Sequence, residues 1–477
     1  MPSKKEEREE DKPGRAALVV FYNDYEAGAA SASVVFQDSM EFLKTAPFEV
    51  VPVPAMVHDI ATARQAGTFI KSERLDPVII HLATWTGDDL LLEMRSSMEW
   101  RPSSIILWAL RDINSGSLCG CQQFSMVLME HGWDTPDLLI GRNAETIKKM
   151  SKRVPHYAPQ SVASWIFEIE AKDETVKSIL LALRRLRVGI IGARTPGMME
   201  VAYDEFGILG VIGPSIHAIP VAELENCASM QSNSDIATAL ASFKKTFIDA
   251  RITVSQEAID EAMRNYLALK ELIAKHDLDA VTVDCYPGYM GKVCIAFSML
   301  ADEGIPCACE ADVHAAILAW IMQQLSGKPT NHIDTLDVDP LQNTLTGGHC
   351  GSCSIQLARQ GSATIAPVRL ANEGVCVVFP EKEGPVTLVN LVGRGGSMSY
   401  QRSTFRVLII TGTVIEAGLV FPGNPAVIRL DVPVDKFLAT VNQNGLGHHW
   451  IVGQGTHYIQ TLDQIFRALN VRVHKVL

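Results

Sequence analysis

Along residues 16–150 short apolar runs alternate with amphipathic ones. AALVVFYN reads as a buried strand, SASVVFQDSMEFLKTA as a helix and FEVVPVPAMV as a second strand. DPVIIHLATWTGDD repeats the plan and delivers Trp85 and Asp88 to the loop at a strand's carboxyl end; SSIILWALRD does the same for Arg111 and Asp112. Short apolar strands alternating with helical patterns predict a parallel sheet covered on both faces. Residues 160–187 predict a long connecting helix with a basic last turn, LALRRLR.

The pattern restarts at LRVGIIGARTPGMMEVAYDEFG, a strand, a Gly/Pro loop and an amphipathic helix. A long helical stretch follows from about residue 236 to 275, then strand DAVTVDCYPGY, helix GKVCIAFSMLADEG and strand GIPCAC. Asp284 and Glu310 close two consecutive strands, so their loops gather at one sheet edge. The glycines of the first loop are not spaced as GxGxxG, and no acid ends the second strand, so the dinucleotide fingerprint fails. After about residue 345 helical periodicity gives way to ATIAPVRL, GVCVVFP, GPVTLVNLVG, FRVLIITGTVIEAG, NPAVIRLDV and HWIVGQ, separated by Gly, Pro and Asn. Such a series predicts an antiparallel barrel or sandwich. The expected fold is α/β: a disordered lead-in over 1–15, a doubly wound, Rossmann-like domain over 16–175, a second over 176–345, and a β-barrel-like domain over 346–477.

Composition narrows the function. The chain has 477 residues, too many for one core, and 47% hydrophobic with 20% charged residues is an ordinary globular balance. A net charge of -12 supplies no basic surplus for phosphates, which argues against nucleic acid and anionic membrane surfaces. No apolar run approaches the roughly 20 residues of a bilayer span. MPSKKEEREEDKPGR lacks the apolar core of a signal peptide. The ten cysteines lie scattered in apolar segments, as suits small buried side chains in a reducing, cytoplasmic compartment. Cys119/Cys121 and Cys350/Cys353 resemble halves of a zinc site, but their spacing is irregular.

The chemistry centres on CACEADVHAAILAWIMQQLSGKPTNHID. Glu310 and Asp312 precede an apolar helix, and Asp334 lies on the returning strand; either early acid could simply cap the helix. Acids at the two ends of a strand–helix–strand unit can converge at a sheet rim, where they can hold a cation and move protons. NGLGHHWIVGQGTHY brings His448, His449 and His457 into a glycine-rich segment. Glu310, Asp334 and His449 together supply oxygens and an imidazole, a donor set suited to Mn²⁺ or another divalent ion such as Mg²⁺ or Co²⁺.

These segments resemble the L-fucose isomerase/L-arabinose isomerase group, in particular the shorter fucose-isomerase-like proteins. The likeness is strongest over about residues 280–350 and 445–475. It implies a metal-dependent aldose–ketose isomerase, an intramolecular oxidoreductase working through a cis-enediol(ate). By that resemblance Glu310 and Asp334 are metal ligands and catalytic acid/base, and His449, before a tryptophan, is the third ligand. GGHCGSC resembles a loop lining the sugar site, with His349 where the arabinose branch has a metal-site histidine. His448, Trp85 and Asn23 are further substrate-binding candidates, although the fucose branch has asparagine in place of His448. A homotrimer or homohexamer whose active sites are covered by a neighbouring subunit is also implied. Alternatives are an epimerase, an aldolase-type enzyme using the same ligands, or a non-catalytic sugar-binding protein.

Overall fold

A computed structural model describes residues 15–46, 49–98, 102, 104–130, 135–151, 173–183, 185–395 and 404–476. The expected lead-in, Arg15 apart, lies outside the described residues, as does most of the expected connecting helix, of which Glu174–Leu183 is described. Among the described residues no helix is long and apolar enough to cross a membrane. The chain forms two compact units, Met1–Pro159 and Gln160–Leu477.

In the first unit the four apolar runs become β1 (Arg15–Phe21), β2 (Glu49–Pro52), β3 (Val78–Leu82) and β4 (Ile105–Ala109), and a fifth strand not picked out in the sequence, β5 (Asp137–Ile140), follows. All pair in parallel, in the order β2-β1-β3-β4-β5. β3 and β4 are buried throughout, as a sheet covered on both faces requires.

The second unit holds a parallel sheet of β6 (Arg187–Ile191), β7 (Ser215–Ile219), β9 (Ala280–Val283) and β10 (Cys307–Ala308), ordered β10-β9-β6-β7. The helix expected over 236–275 is two helices, Asn233–Thr246 and Gln256–Lys275. Between them the β-branched run RITV supplies β8 (Arg251–Ile252), and Ser255 restarts the helix by accepting the Ala258 N–H at 3.2 Å.

The carboxyl-terminal strands are β11 (Thr330–Asp339), β12 (Thr344–Gly348), β13 (Thr364–Ala366), β14 (Cys376–Val378), β15 (Gly384–Val392), β16 (Arg406–Val414), β17 (Ala426–Leu430), β18 (His449–Gln454) and β19 (Arg472–His474). Six of them run antiparallel in the order β15-β18-β11-β12-β17-β16, and β15 pairs back onto β16 from Gly384↔Val414 to Val392↔Arg406. That pairing closes a barrel; β19 adds in parallel to β16. Two expectations shift. ATIAPVRL and GVCVVFP yield only β13 and β14, which join β8 in a separate three-stranded sheet. β11, which falls within the span expected for the second α/β domain, is a barrel strand paired on both sides, with β12 and β18.

Between barrel and parallel sheet lies the helix Val313–Ser326, apolar on nearly every side. Ile317, Ile321 and Met322 share one core with Val188 and Ile190 of β6, Val389 of β15 and Ile451 of β18. A helix hydrophobic all round is a buried one, and each fully buried aliphatic here contributes about 1.5–3 kcal/mol. This layer fixes the distance between the end of β10 and the barrel wall.

Candidate metal centre

Barrel register places two donors directly opposite each other. Asp334 on β11 pairs with His449 on β18 and, on its other side, with Gly348 on β12. His349 therefore follows the neighbouring strand at the same level. Side chains alternate along a strand, so His332 shares the face of Asp334, whereas Asn331 and Ile333 point the other way.

Glu310 arrives from the parallel sheet. It and Ala311 both occupy the left-handed region, at φ 63° and 55°, which bends the chain from β10 into the next helix. Each such residue costs about 1–2 kcal/mol, and local bonds hold the turn. Ala311 N–H donates to Val283 O at 2.9 Å, Glu310 N–H to Cys285 Sγ at 3.4 Å, and Thr195 Oγ1 lies 2.9 Å from Glu310 O.

The result is a tight donor group. One ligand atom each from Glu310, Asp334, His349 and His449 lies within 4.8 Å of the others. Nε2 of His449 is 3.0 Å from Glu310 Oε2 and 3.5 Å from Asp334 Oδ1; Nε2 of His349 is 3.9 Å and 3.8 Å from the same oxygens. His449 Nε2, His349 Nε2 and Asp334 Oδ1 are nonetheless buried without a hydrogen-bond partner. Ligands about 2.0–2.2 Å from a common ion stand about 3 Å apart when adjacent and a little over 4 Å when opposed. The observed spacings match that range, and converging lone pairs explain the missing hydrogen bonds. The donor set fits a divalent cation. A second group, His332, His349 and His449, meets the same distance limit, and neither group contains a cysteine.

Electrostatics point the same way. Glu200, Glu310 and Asp312 are buried, Asp334 is half-buried, and among the described residues the ion-pair partners of all four are histidines. Burial opposes ionisation of Glu310, yet His349 and His449 outweigh it and hold the carboxyl well below its ordinary range. Burial likewise disfavours charge on His449, but Asp312 and Glu310 push it well above the imidazole range. His349 is raised against its burial by Cys309 and Asp334. A field that favours positive charge on buried imidazoles equally favours a cation among them, with the imidazoles then neutral as ligands.

Asp312 does two jobs. Its Oδ1 accepts the Ala315 N–H at 2.8 Å, capping the helix, and its Oδ2 takes His449 Nδ1 at 2.8 Å. That bond keeps the Nδ1 proton in place and leaves Nε2 free for the donor group. His448, expected at the sugar site, lies with Nε2 3.9 Å from Asp334 Oδ1, while its Nδ1 meets Glu200 Oε2 at 2.5 Å. Glu200 also accepts the His449 N–H, at 3.2 Å. Sequence reasoning passed over Glu200 because nothing in GMMEVAY ties it to a histidine 248 positions away. His332 was missed too, although its spacing of two from Asp334 on a strand was a usable signal.

The remaining sequence candidates, Trp85 and Asn23, belong to the first unit. Trp85 is buried there with Nε1 donating to Gln123 Oε1 at 2.8 Å; Asn23 accepts the Tyr25 N–H at 3.0 Å.

No family model matches the chain. Curated proteins do. Over 457 residues, 92% of this chain and 94% of the relative, it is 22% identical to the sulfoquinovose isomerase of Priestia aryabhattai. The same values hold for that of Priestia megaterium. Its relatives are sugar isomerases. A third, the sulfoquinovose isomerase of Clostridium sp. (strain MSTE9), is 26% identical over 278 residues, 57% of this chain and 61% of its own. The long alignments span both units, so the likeness to these isomerases extends well beyond the donor segments.

Proposed function

We propose that this protein is a divalent-metal-dependent aldose–ketose isomerase acting on a sulfonated sugar of the sulfoquinovose kind. What carries the reading is the convergence of Glu310, Asp334, His349 and His449, two carboxylates and two imidazoles from separate segments, in a chain alignable almost end to end with sugar isomerases. The four residues would hold the ion, which supplies Lewis-acid polarisation of neighbouring sugar oxygens.

The proton chemistry falls to the chain. Isomerisation needs a base to take the C2 proton and an acid to return one at C1, through a cis-enediol(ate). Glu310 and Asp334 approach the same imidazole nitrogen, at 3.9 and 3.8 Å from His349 Nε2, so one can accept while the other delivers. Asp334 is the more open, at 23% side-chain exposure against 9% for Glu310, and faces arriving sugar. His449, fixed by Asp312, orients the group and moves no proton. Manganese is the expected ion for mixed oxygen and nitrogen donors.

The test uses the full chain stripped by chelator and dialysis, then given Mn²⁺ and sulfoquinovose in D₂O. The expected product by NMR is the ketose with an intact carbon skeleton and deuterium introduced next to the carbonyl. Glu310→Gln should lower turnover by about 10²–10⁴-fold, the usual worth of a positioned proton-transfer group. Turnover that ignores metal removal, or that survives in the Glu310→Gln variant, overturns the proposal.

A further inference from the structure

The parallel sheet of the second unit has a switch point. From β6 the chain passes to β7 on one side, then crosses to β9 and β10 on the other. Open α/β sheets take ligands in a crevice beyond the carboxyl ends of the strands at such a point, here β6 and β9. The β6 loop is Gly192-Ala193-Arg194-Thr195-Pro196-Gly197. Gly192, at φ 95°, packs so closely on the β9 loop that a Cβ there would lie 2.7 Å from that of Asp284. Thr195 Oγ1 lies 3.0 Å from Asp284 Oδ1 and 2.9 Å from Glu310 O, tying the crevice to the donor group.

Arg194, on this loop, is half-buried and underused. Its Nη1 donates to Thr195 O at 3.1 Å, and among the described residues no carboxylate forms an ion pair with it. Asp284 is the acid whose field reaches Arg194, without a direct ion pair; a guanidinium so placed, next to the loop that carries Glu310, presents a planar fork of donors suited to a tetrahedral anion.

Building on the isomerase reading above, we infer that this crevice receives the anionic end of the sugar and that Arg194 is the residue that selects for it. The shared chemistry is a sulfonate or a phosphate ester on the carbon chain. The Asp284 carboxyl in the same crevice favours the singly charged sulfonate over a doubly charged phosphate, because like-charge repulsion grows with the ligand's charge.

The experiment compares the metal-loaded wild type with Arg194→Met and Arg194→Lys on sulfoquinovose, on quinovose, which lacks the sulfo group, and on glucose 6-phosphate. A lost pair of charge-assisted hydrogen bonds should cut the wild-type preference for sulfoquinovose over quinovose, as kcat/KM, by about 10- to 100-fold in Arg194→Met, mostly through KM. Arg194→Lys should recover part of it. A preference for glucose 6-phosphate that collapses in the same variant supports Arg194 as the anion reader and names phosphate as the source. Equal losses on charged and neutral sugars, or none, overturn the inference and leave the isomerase reading standing. Calorimetric titration with sulfoquinovose separates the reverse case: weaker binding by Arg194→Met supports the contact even without turnover, and equal binding refutes it.

Discussion

Asp312→Asn is the sharpest probe of the donor group, because one carboxylate serves two donors. Its oxygens accept the Ala315 N–H and the His449 Nδ1–H, both at 2.8 Å. Asparagine keeps the volume but offers a single acceptor. If its oxygen caps the helix, its amide N–H₂ faces Nδ1–H, and a buried donor left unpaired costs about 1–3 kcal/mol. The imidazole escapes that clash by moving its proton to Nε2, the atom aimed at Glu310 and Asp334. Either way metal affinity should fall by about 10–100-fold, the usual range for a lost partner behind a ligand. Asp312→Ala should show the same loss plus about 1 kcal/mol of stability from the missing cap. Mn²⁺ affinity is read by calorimetry or the free-ion EPR signal, and stability by urea denaturation in chelator. Affinity within twofold of wild type in Asp312→Asn would refute the reasoning.

Two further outcomes test the surroundings. Glu381, buried where Asn331 Nδ2 and Gln454 Nε2 donate at 2.8 and 2.7 Å, is pushed by burial from 4.5 up to about 7. The folded form keeps this proton after the unfolded chain has lost it, so its stability is full below about pH 4.5, declines as pH rises towards 7 and then levels. At ~1.4 kcal/mol per pH unit the decline is about 3 kcal/mol; unfolding free energies from urea should fall by about 2–3 kcal/mol more in wild type than in Glu381→Gln between pH 5 and pH 8, and a parallel fall counts against it. At Gly447 a Cβ would lie 1.6 Å from Glu200 Oε1. Gly447→Ala should therefore unseat Glu200, lower stability by about 1–3 kcal/mol and weaken Mn²⁺ binding, whereas an unchanged melting curve would mean Glu200 has room to move.

Much of the architecture was legible because it follows from periodicity. Largely apolar runs such as VIIHL and IILWA gave buried parallel strands, and the turn-rich tail gave the antiparallel barrel. Periodicity failed where partners decide the outcome. RITV is too short to declare itself, and it becomes a strand only because β13 pairs with it. Thr330–Asp339 falls inside the span expected for the second α/β domain, since nothing local distinguishes a returning strand there from a barrel wall. In the donor group, Glu310, Asp334 and His449 stood out by residue type and by family likeness. The left-handed turn that aims Glu310 did not, because neither Glu310 nor Ala311 is a glycine. Glu200 was invisible for the opposite reason: its role is set wholly by what folds against it.

Closure of β15 onto β16 also governs how this centre can vary. A barrel without a free edge cannot let one strand creep past its neighbours, and a slip of a single residue would turn every side chain on β11 to the opposite face. Asp334, His349 and His449 thus behave as a rigid jaw, either fully aligned or wholly lost. Glu310 hangs from a two-residue bend on the facing layer and is the adjustable jaw. Tolerance for differently shaped sugars should accordingly be tuned from the α/β side, in the loops after β6, β9 and β10, with the barrel left untouched.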